Sequence, residues 1–90
     1  MYNSIVIVGR IKEIKSIDDY VYLKVTGKDK KGNEEIIDVK IDGMLANTVR
    51  EDCDVGTIIG VKGEMFKENN DLKILGRKVT FLSTRKDLER

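Results

Sequence analysis

The sequence predicts an all-β fold, a five-stranded Greek-key barrel with one short helix between strands 3 and 4. Apolar and polar residues alternate over most of the chain, which is the period of a strand with one buried face. The period changes once, where Leu45, Val49 and Cys53 recur every four residues as on one face of a helix. The 90 residues suffice for one hydrophobic core.

The first strand is predicted over Ser4–Ile17 and begins with the apolar run IVIV. Alternation puts Ile5 and Ile7 on one face of this strand and Val6 and Val8 on the other. A barrel has one core, so the second apolar face predicts a contact with another subunit.

Strands 2 and 3 are predicted over Tyr20–Thr26 and Glu34–Asp42, and a hairpin rich in glycine and charge joins them. The residues predicted to face inward are Val21, Leu23, Val25, Ile37, Val39 and Ile41. Tyr20, Tyr22 and Lys24 therefore share the outer face of strand 2.

The helix is predicted over residues 43 to 53, with Asp42 as its N-cap. Strands 4 and 5 follow at Thr57–Lys67 and Leu72–Leu82. The residues of strand 4 predicted to face inward are Ile59, Val61 and Met65. Gly76 interrupts strand 5 and predicts a bulge or bend there.

This order of elements is that of the oligonucleotide-binding (OB) fold, a partly open Greek-key barrel. A small SH3-like barrel is the rival topology, but its linker helix is normally a single short turn. We expect one barrel domain over residues 1–83 and a short charged tail over residues 84–90.

The composition excludes several classes of function. The chain has no histidine and one cysteine, so histidine-based catalysis, a disulfide within the chain and a multi-cysteine metal site are excluded. No cofactor, metal or small-molecule substrate is expected. The sequence shows no membrane-length apolar run and no secretory signal, so we expect a cytoplasmic protein with no membrane partner. A net charge of +1 requires any basic surface to arise from local segregation of charge.

Four stretches resemble the bacterial single-stranded DNA-binding proteins. The first combines an Asn-Ser pair, branched apolar residues and Gly-Arg, and the others match the helix, the fourth strand and the end of the fifth. These stretches are Met1–Ile11, Gly43–Val49, Gly56–Met65 and Val79–Leu82. They span nearly the whole chain in the family's order. The resemblance implies an OB barrel that binds single strands without catalysis.

The chain also departs from this family. It has no tryptophan, its hairpins are short, and Ile36 and Asp42 stand where the family carries aromatic residues on strand 3. It stops at Arg90 without the family's acidic C-terminal tail. The resemblance therefore identifies a short, divergent member and does not imply recruitment of partners by an acidic tip.

Nine side chains at predicted outward positions are candidates for contact with nucleic acid. Single-strand-binding proteins combine a basic groove for the backbone with aromatic rings on which bases stack. The candidates are Arg10, Tyr20, Tyr22, Lys24, Lys40, Lys62, Phe66, Lys73 and Arg77. Stacking is the first interpretation of the tyrosine pair, a subunit or partner contact is the second, and a plain strand surface is the third.

The leading hypothesis is a non-enzymatic protein that binds single-stranded DNA, or RNA, and associates with itself as a dimer or tetramer. The alternative is a degenerate OB-fold protein–protein adaptor in replication or in plasmid or phage maintenance, with weak or no nucleic-acid binding. An enzyme is a third option, for which the sequence offers no recognisable site.

Overall fold

The computed structural model describes residues 4–28 and 30–83, which form a closed five-stranded barrel with one helix. The elements in chain order are β1 (Ser4–Ile17), β2 (Tyr20–Lys28), β3 (Glu34–Ile41), α1 (Gly43–Asp52), β4 (Ile58–Glu68) and β5 (Asp71–Phe81). The predicted barrel with a helix between strands 3 and 4 is confirmed. The predicted tail over 84–90 lies outside the described residues. Among the described residues, no helix has the length and apolarity needed to cross a membrane.

The barrel closes through a short parallel contact between β3 and β5. The strand order is β1-β2-β3-β5-β4, and β4 pairs back onto β1. Every other strand pair is antiparallel, whereas β3 and β5 align in parallel through Val39 with Ile74 and Lys40 with Leu75. This closure brings the outer face of β3 beside the start of β5.

Strand β1 serves two neighbours because it is long enough to turn from one side of the barrel to the other. Its first half, to Arg10, pairs with β4, and its second half, from Arg10 to Ile17, pairs with β2. A Cβ atom added to Gly9 would overlap the Thr26 carbonyl oxygen on β2. Only glycine allows the two backbones to approach so closely where the strand changes partner.

The predicted irregularity at Gly76 is confirmed as a β-bulge. Gly63 pairs with Gly76 while Lys62 pairs with Lys78, so Arg77 is the extra residue of β5. A Cβ atom added to Gly76 would point into the core, where its nearest neighbours would be side-chain carbons 3.2 Å away. The bulge lets β5 turn with the barrel while the strands stay paired.

The core agrees with the alternation read from the sequence. Its buried members are Ile11, Val21, Leu23, Val25, Val39, Ile41, Ala46, Val49, Cys53, Ile59, Val61 and Ile74. The predicted inward residues Ile37 and Met65 are half-buried. Cys53 belongs to the core and directly follows the helix. Asp42 precedes the helix as predicted, but its side chain makes no capping hydrogen bond.

The close approach of β4 and β5 predicts a cost for any side chain at Gly63. A methyl group there would overlap the Leu75 carbonyl oxygen, so Gly63→Ala should lower the free energy of unfolding by roughly 1–3 kcal/mol. Gly27→Ala is the matched control, because the nearest atom to its methyl group is the Val8 carbonyl oxygen at 3.8 Å. Urea unfolding measures both variants, and equal losses of stability would contradict this close approach.

Candidate nucleic-acid interface

The outer face of β2 carries two tyrosines beside a lysine on β3. Tyr20 and Tyr22 project from the same side of β2, and Tyr22 is the cross-strand partner of Lys40. The two ring centroids are 6.4 Å apart, and the ring planes are tilted by 48°. The tyrosines thus form adjacent aromatic surfaces rather than one closed stack.

The ammonium group of Lys40 lies among three aromatic rings. Its Nζ atom is 4.3 Å from the ring centroid of Tyr20, 5.5 Å from that of Tyr22 and 5.9 Å from that of Phe66. The Nζ atom of Lys73 is 5.3 Å from the Tyr22 centroid. We call these five residues the aromatic–lysine cluster. Cations at such distances are attracted to the electron-rich ring faces.

Glu68 bridges the two lysines of the cluster. Its Oε2 atom lies 2.7 Å from Lys40 Nζ, and its Oε1 atom lies 3.1 Å from Lys73 Nζ. Glu68 ends β4 directly before a two-residue turn in which Asn69 and Asn70 have φ angles of 53° and 68°. Positive φ at both residues fits the tight turn of a two-residue hairpin, so the turn keeps the backbone of Glu68 at the end of β4, close to both lysines.

The ion pairs perturb the protonation of their members. Hydrogen bonds from Lys40 and Lys73 hold the pKa of the Glu68 carboxyl below its usual value. The hydrogen bond to Glu68 raises the pKa of Lys40. The hydrogen bond to Asp38 likewise raises the pKa of Lys24. The face therefore carries its positive charges already matched to carboxylates.

Lys24 lies on the same side of the barrel but in a pair of its own. Its Nζ atom is 3.0 Å from Asp38 Oδ1 across the β2–β3 pair. A cleft of about 440 Å³ is lined in part by Tyr22, Lys24, Asp38, Glu68 and Lys73. The structure thus brings together six of the nine candidates, namely Tyr20, Tyr22, Lys24, Lys40, Phe66 and Lys73.

The other three candidates lie on the side of the barrel formed by β1, β4 and β5. Arg10 donates a hydrogen bond of 2.8 Å to the Gly56 carbonyl oxygen, Lys62 is exposed in the middle of β4, and Arg77 lies 3.8 Å from Glu64. All three point outward as predicted. Alternation predicts whether a side chain points inward or outward, but it does not predict on which side of the barrel the side chain lies. The role of these three residues in binding stays a prediction.

Sequence reasoning missed two residues that shape this surface, Glu68 and Arg50. Arg50 on α1 donates hydrogen bonds to Ser16 Oγ at 2.7 Å and to the carbonyl oxygens of Asp18 at 2.8 Å and Tyr20 at 3.2 Å. The helix thereby holds the β1–β2 turn from which Tyr20 projects. The lysine partners of Glu68 depend on barrel closure, and alternation along one strand does not reveal them.

Comparisons with known proteins find this fold among solved structures. No family model and no curated protein sequence matches the chain. Among solved structures, the mitochondrial single-stranded DNA-binding protein Rim1 of S. cerevisiae superposes with a TM-score of 0.79 at 16% identity, covering 91% of this chain and 95% of that chain. The second such protein of Mycobacterium smegmatis, SSBb, gives 0.75 at 17% identity, with 91% and 90% covered.

The chain has the fold of single-stranded DNA-binding proteins. A third structure, described as the dimeric N-terminal domain of PriB from Thermoanaerobacter tencongensis, matches with a TM-score of 0.70 at 15% identity, covering 90% of this chain and 97% of that chain. The resemblance predicted from the four sequence stretches is thus confirmed at the level of the fold, from one end of the barrel to the other.

The lowered pKa of Glu68 predicts how the stability of the barrel depends on pH. A carboxyl whose pKa is lowered in the folded state stabilises the fold at pH values above its ordinary pKa of 4.5. This contribution is lost as the pH falls through the folded-state pKa. The wild type should therefore have a higher melting temperature than Glu68→Gln at neutral pH, and this difference in melting temperature should vanish in acid. Thermal melts of both proteins across the acid range measure this, and a constant difference would contradict it.

Proposed function

We propose that the chain binds single-stranded DNA without catalysis, by stacking bases on Tyr20, Tyr22 and Phe66 and contacting phosphates with the neighbouring lysines. The observation that carries the proposal is the Lys40 ammonium group within 5.9 Å of three ring centroids on one outer face. Every base has a stackable face, so such a surface accepts any sequence. Single-stranded RNA offers the same faces and phosphates, and the proposal extends to it.

The position of the cluster in the fold supports this proposal. OB folds bind oligonucleotides on the face of strands 2 and 3, between the loop joining strands 1 and 2 and the loop joining strands 4 and 5. Tyr20 and Tyr22 lie on β2 and Lys40 on β3, while Glu68 ends β4 next to the β4–β5 turn. The matched structures of Rim1 and SSBb are described as single-stranded DNA-binding proteins. We place the activity in the cytoplasm.

The charge pairing predicts modest affinity. Lys24 is paired with Asp38, and Lys40 and Lys73 are paired with Glu68, so a strand finds little free positive charge on this face. Base stacking contributes roughly 1–3 kcal/mol per base in single-strand-binding barrels of this kind. Three rings and partly neutralised lysines are consistent with a dissociation constant in the range of about 1 μM.

Removal of the Tyr22 ring should weaken the binding of oligo-dT by roughly tenfold, which corresponds to about 1.4 kcal/mol. Tyr22→Phe is the matched control, because it keeps the stacking surface and should retain most of the affinity. Fluorescence anisotropy with labelled oligo-dT measures both variants. Equal affinities of Tyr22→Ala and Tyr22→Phe for oligo-dT would contradict a stacking role for this ring.

Salt titrations of the same variants separate stacking from charge. The logarithm of the binding constant falls by about 0.7 per tenfold increase in salt for each phosphate neutralised on a single strand. Lys24→Ala or Arg77→Ala should reduce this slope by a fraction of a unit, whereas Tyr22→Ala should leave it unchanged. Absence of binding by the wild type even at low salt would favour the protein–protein adaptor instead.

We further propose that the chain forms a homo-oligomer through the outer face of β1. Val6 and Val8 are 67% and 61% exposed on neighbouring outward positions of this strand. An apolar strand face open to water favours association, so a second copy would cover it. The matched PriB domain is described as dimeric. Both a dimer and a tetramer fit the proposal.

A charge placed on this face should break the oligomer. Light scattering of the wild type should give at least twice the chain mass of 10.2 kDa at micromolar concentration. Val8→Lys should shift the mass towards the monomer, because the buried contact would hold an unpaired ammonium group. Val55→Lys, at an exposed apolar residue before β4, is the control and should leave the mass unchanged. A monomeric wild type would reject the proposed oligomer.

A further inference from the structure

The aromatic–lysine cluster is already occupied by an anion of the chain itself. The two carboxylate oxygens of Glu68 lie 2.7 Å and 3.1 Å from the ammonium groups of Lys40 and Lys73. These three side chains are the least exposed ion-paired groups described in the structure, with exposed fractions of 26%, 17% and 18%. The other described ion pairs have members that are 39% to 58% exposed.

We propose that Glu68 is an internal competitor for the phosphate of a bound strand and that binding displaces its carboxylate from Lys40 and Lys73. This inference rests on the proposed function and names what regulates that same site. Glu68 holds the two lysines beside the aromatic rings while no strand is bound, and it neutralises them. A strand then gains the lysines only where its phosphate replaces the carboxylate.

The chemistry of the two anions makes this exchange possible. A phosphodiester presents two anionic oxygens on one central atom, as a carboxylate does, and both accept charge-assisted hydrogen bonds from ammonium groups. A phosphate and the Glu68 carboxylate cannot share the lysines without close contact between like charges. The backbone of the two-residue turn keeps Glu68 near the site, so the competitor is present at a high local concentration.

The exchange also explains what the rings contribute. The phosphate replaces the two ion pairs of Glu68 by ion pairs of similar strength, so displacement alone gives little net gain. Stacking of the neighbouring bases on Tyr20, Tyr22 and Phe66 supplies the favourable free energy that drives the displacement of Glu68. A polyanion without accessible base faces therefore has no such advantage at this cluster.

Glu68→Gln tests the proposal, because it removes the negative charge and keeps the shape of the side chain. Glu34→Gln is the matched control, since Glu34 forms an exposed ion pair with Lys12 at 3.0 Å near the β2–β3 hairpin and its loss changes the net charge equally. Oligo-dT binding is measured by anisotropy at several salt concentrations for the wild type and both variants. Glu68→Ala and Glu34→Ala repeat the comparison if the glutamine variant of Glu68 fails to fold.

We expect Glu68→Gln to bind oligo-dT roughly three- to tenfold more tightly than the wild type. Its salt slope should stay close to that of the wild type, because the same two lysines contact phosphates in both bound states. Glu34→Gln should change the affinity by less than about twofold. A purely structural role for Glu68 would give the opposite sign, because a disordered cluster binds more weakly.

The outcomes separate this inference from the proposed function. If the wild type binds and Glu68→Gln binds no more tightly than Glu34→Gln, the internal competitor is refuted and single-strand binding stands. If the wild type and all four variants fail to bind oligo-dT at low salt, the proposed function fails and the competitor fails with it.

Discussion

Closure of the barrel by two parallel residue pairs between β3 and β5 is the constraint on which the candidate site depends. Lys40 is one of the two β3 residues in this contact, with Leu75 as its partner on β5. The contact brings Lys40 from β3 next to Lys73 on β5 and to the β4–β5 hairpin that carries Phe66 and Glu68. Without it the tyrosines of β2 would share a face with β3 alone, and the cluster would lack its second lysine and its carboxylate.

The candidate site combines aromatic surface with charge that is neutralised inside the protein. The rings of Tyr20 and Tyr22 lie on the outer face with the ammonium groups of Lys40 and Lys73 beside them, and both lysines are held by Glu68. We expect such a surface to discriminate by base access more than by charge, because in the proposed exchange a strand must supply stacking before it gains the lysines. The near-neutral composition of the chain is consistent with this balance, since a strongly basic face would need more unpaired lysine and arginine.

The sequence predicted the barrel well because its local signals agree with one another. Alternation identified the inward residues, the change of period identified the helix with Leu45, Val49 and Cys53 on one face, and Gly76 marked the bulge. The same alternation predicted which side chains point outward. It could not predict that Lys40 and Glu68 meet, or that Arg50 holds the β1–β2 turn, because these contacts join segments that are distant along the chain and depend on how the strands coil.

The central claim is that a single strand binds at the aromatic–lysine cluster and displaces Glu68. It is tested most directly by NMR, following the ring protons of Tyr20 and Tyr22 and the carboxyl carbon of Glu68 during titration with oligo-dT. The account predicts that the ring signals move upfield and the Glu68 signal shifts with them, all saturating at the same concentration of oligo-dT. Shifts confined to the surroundings of Arg10 and Lys62, with the rings and the Glu68 carboxyl unchanged, would contradict it.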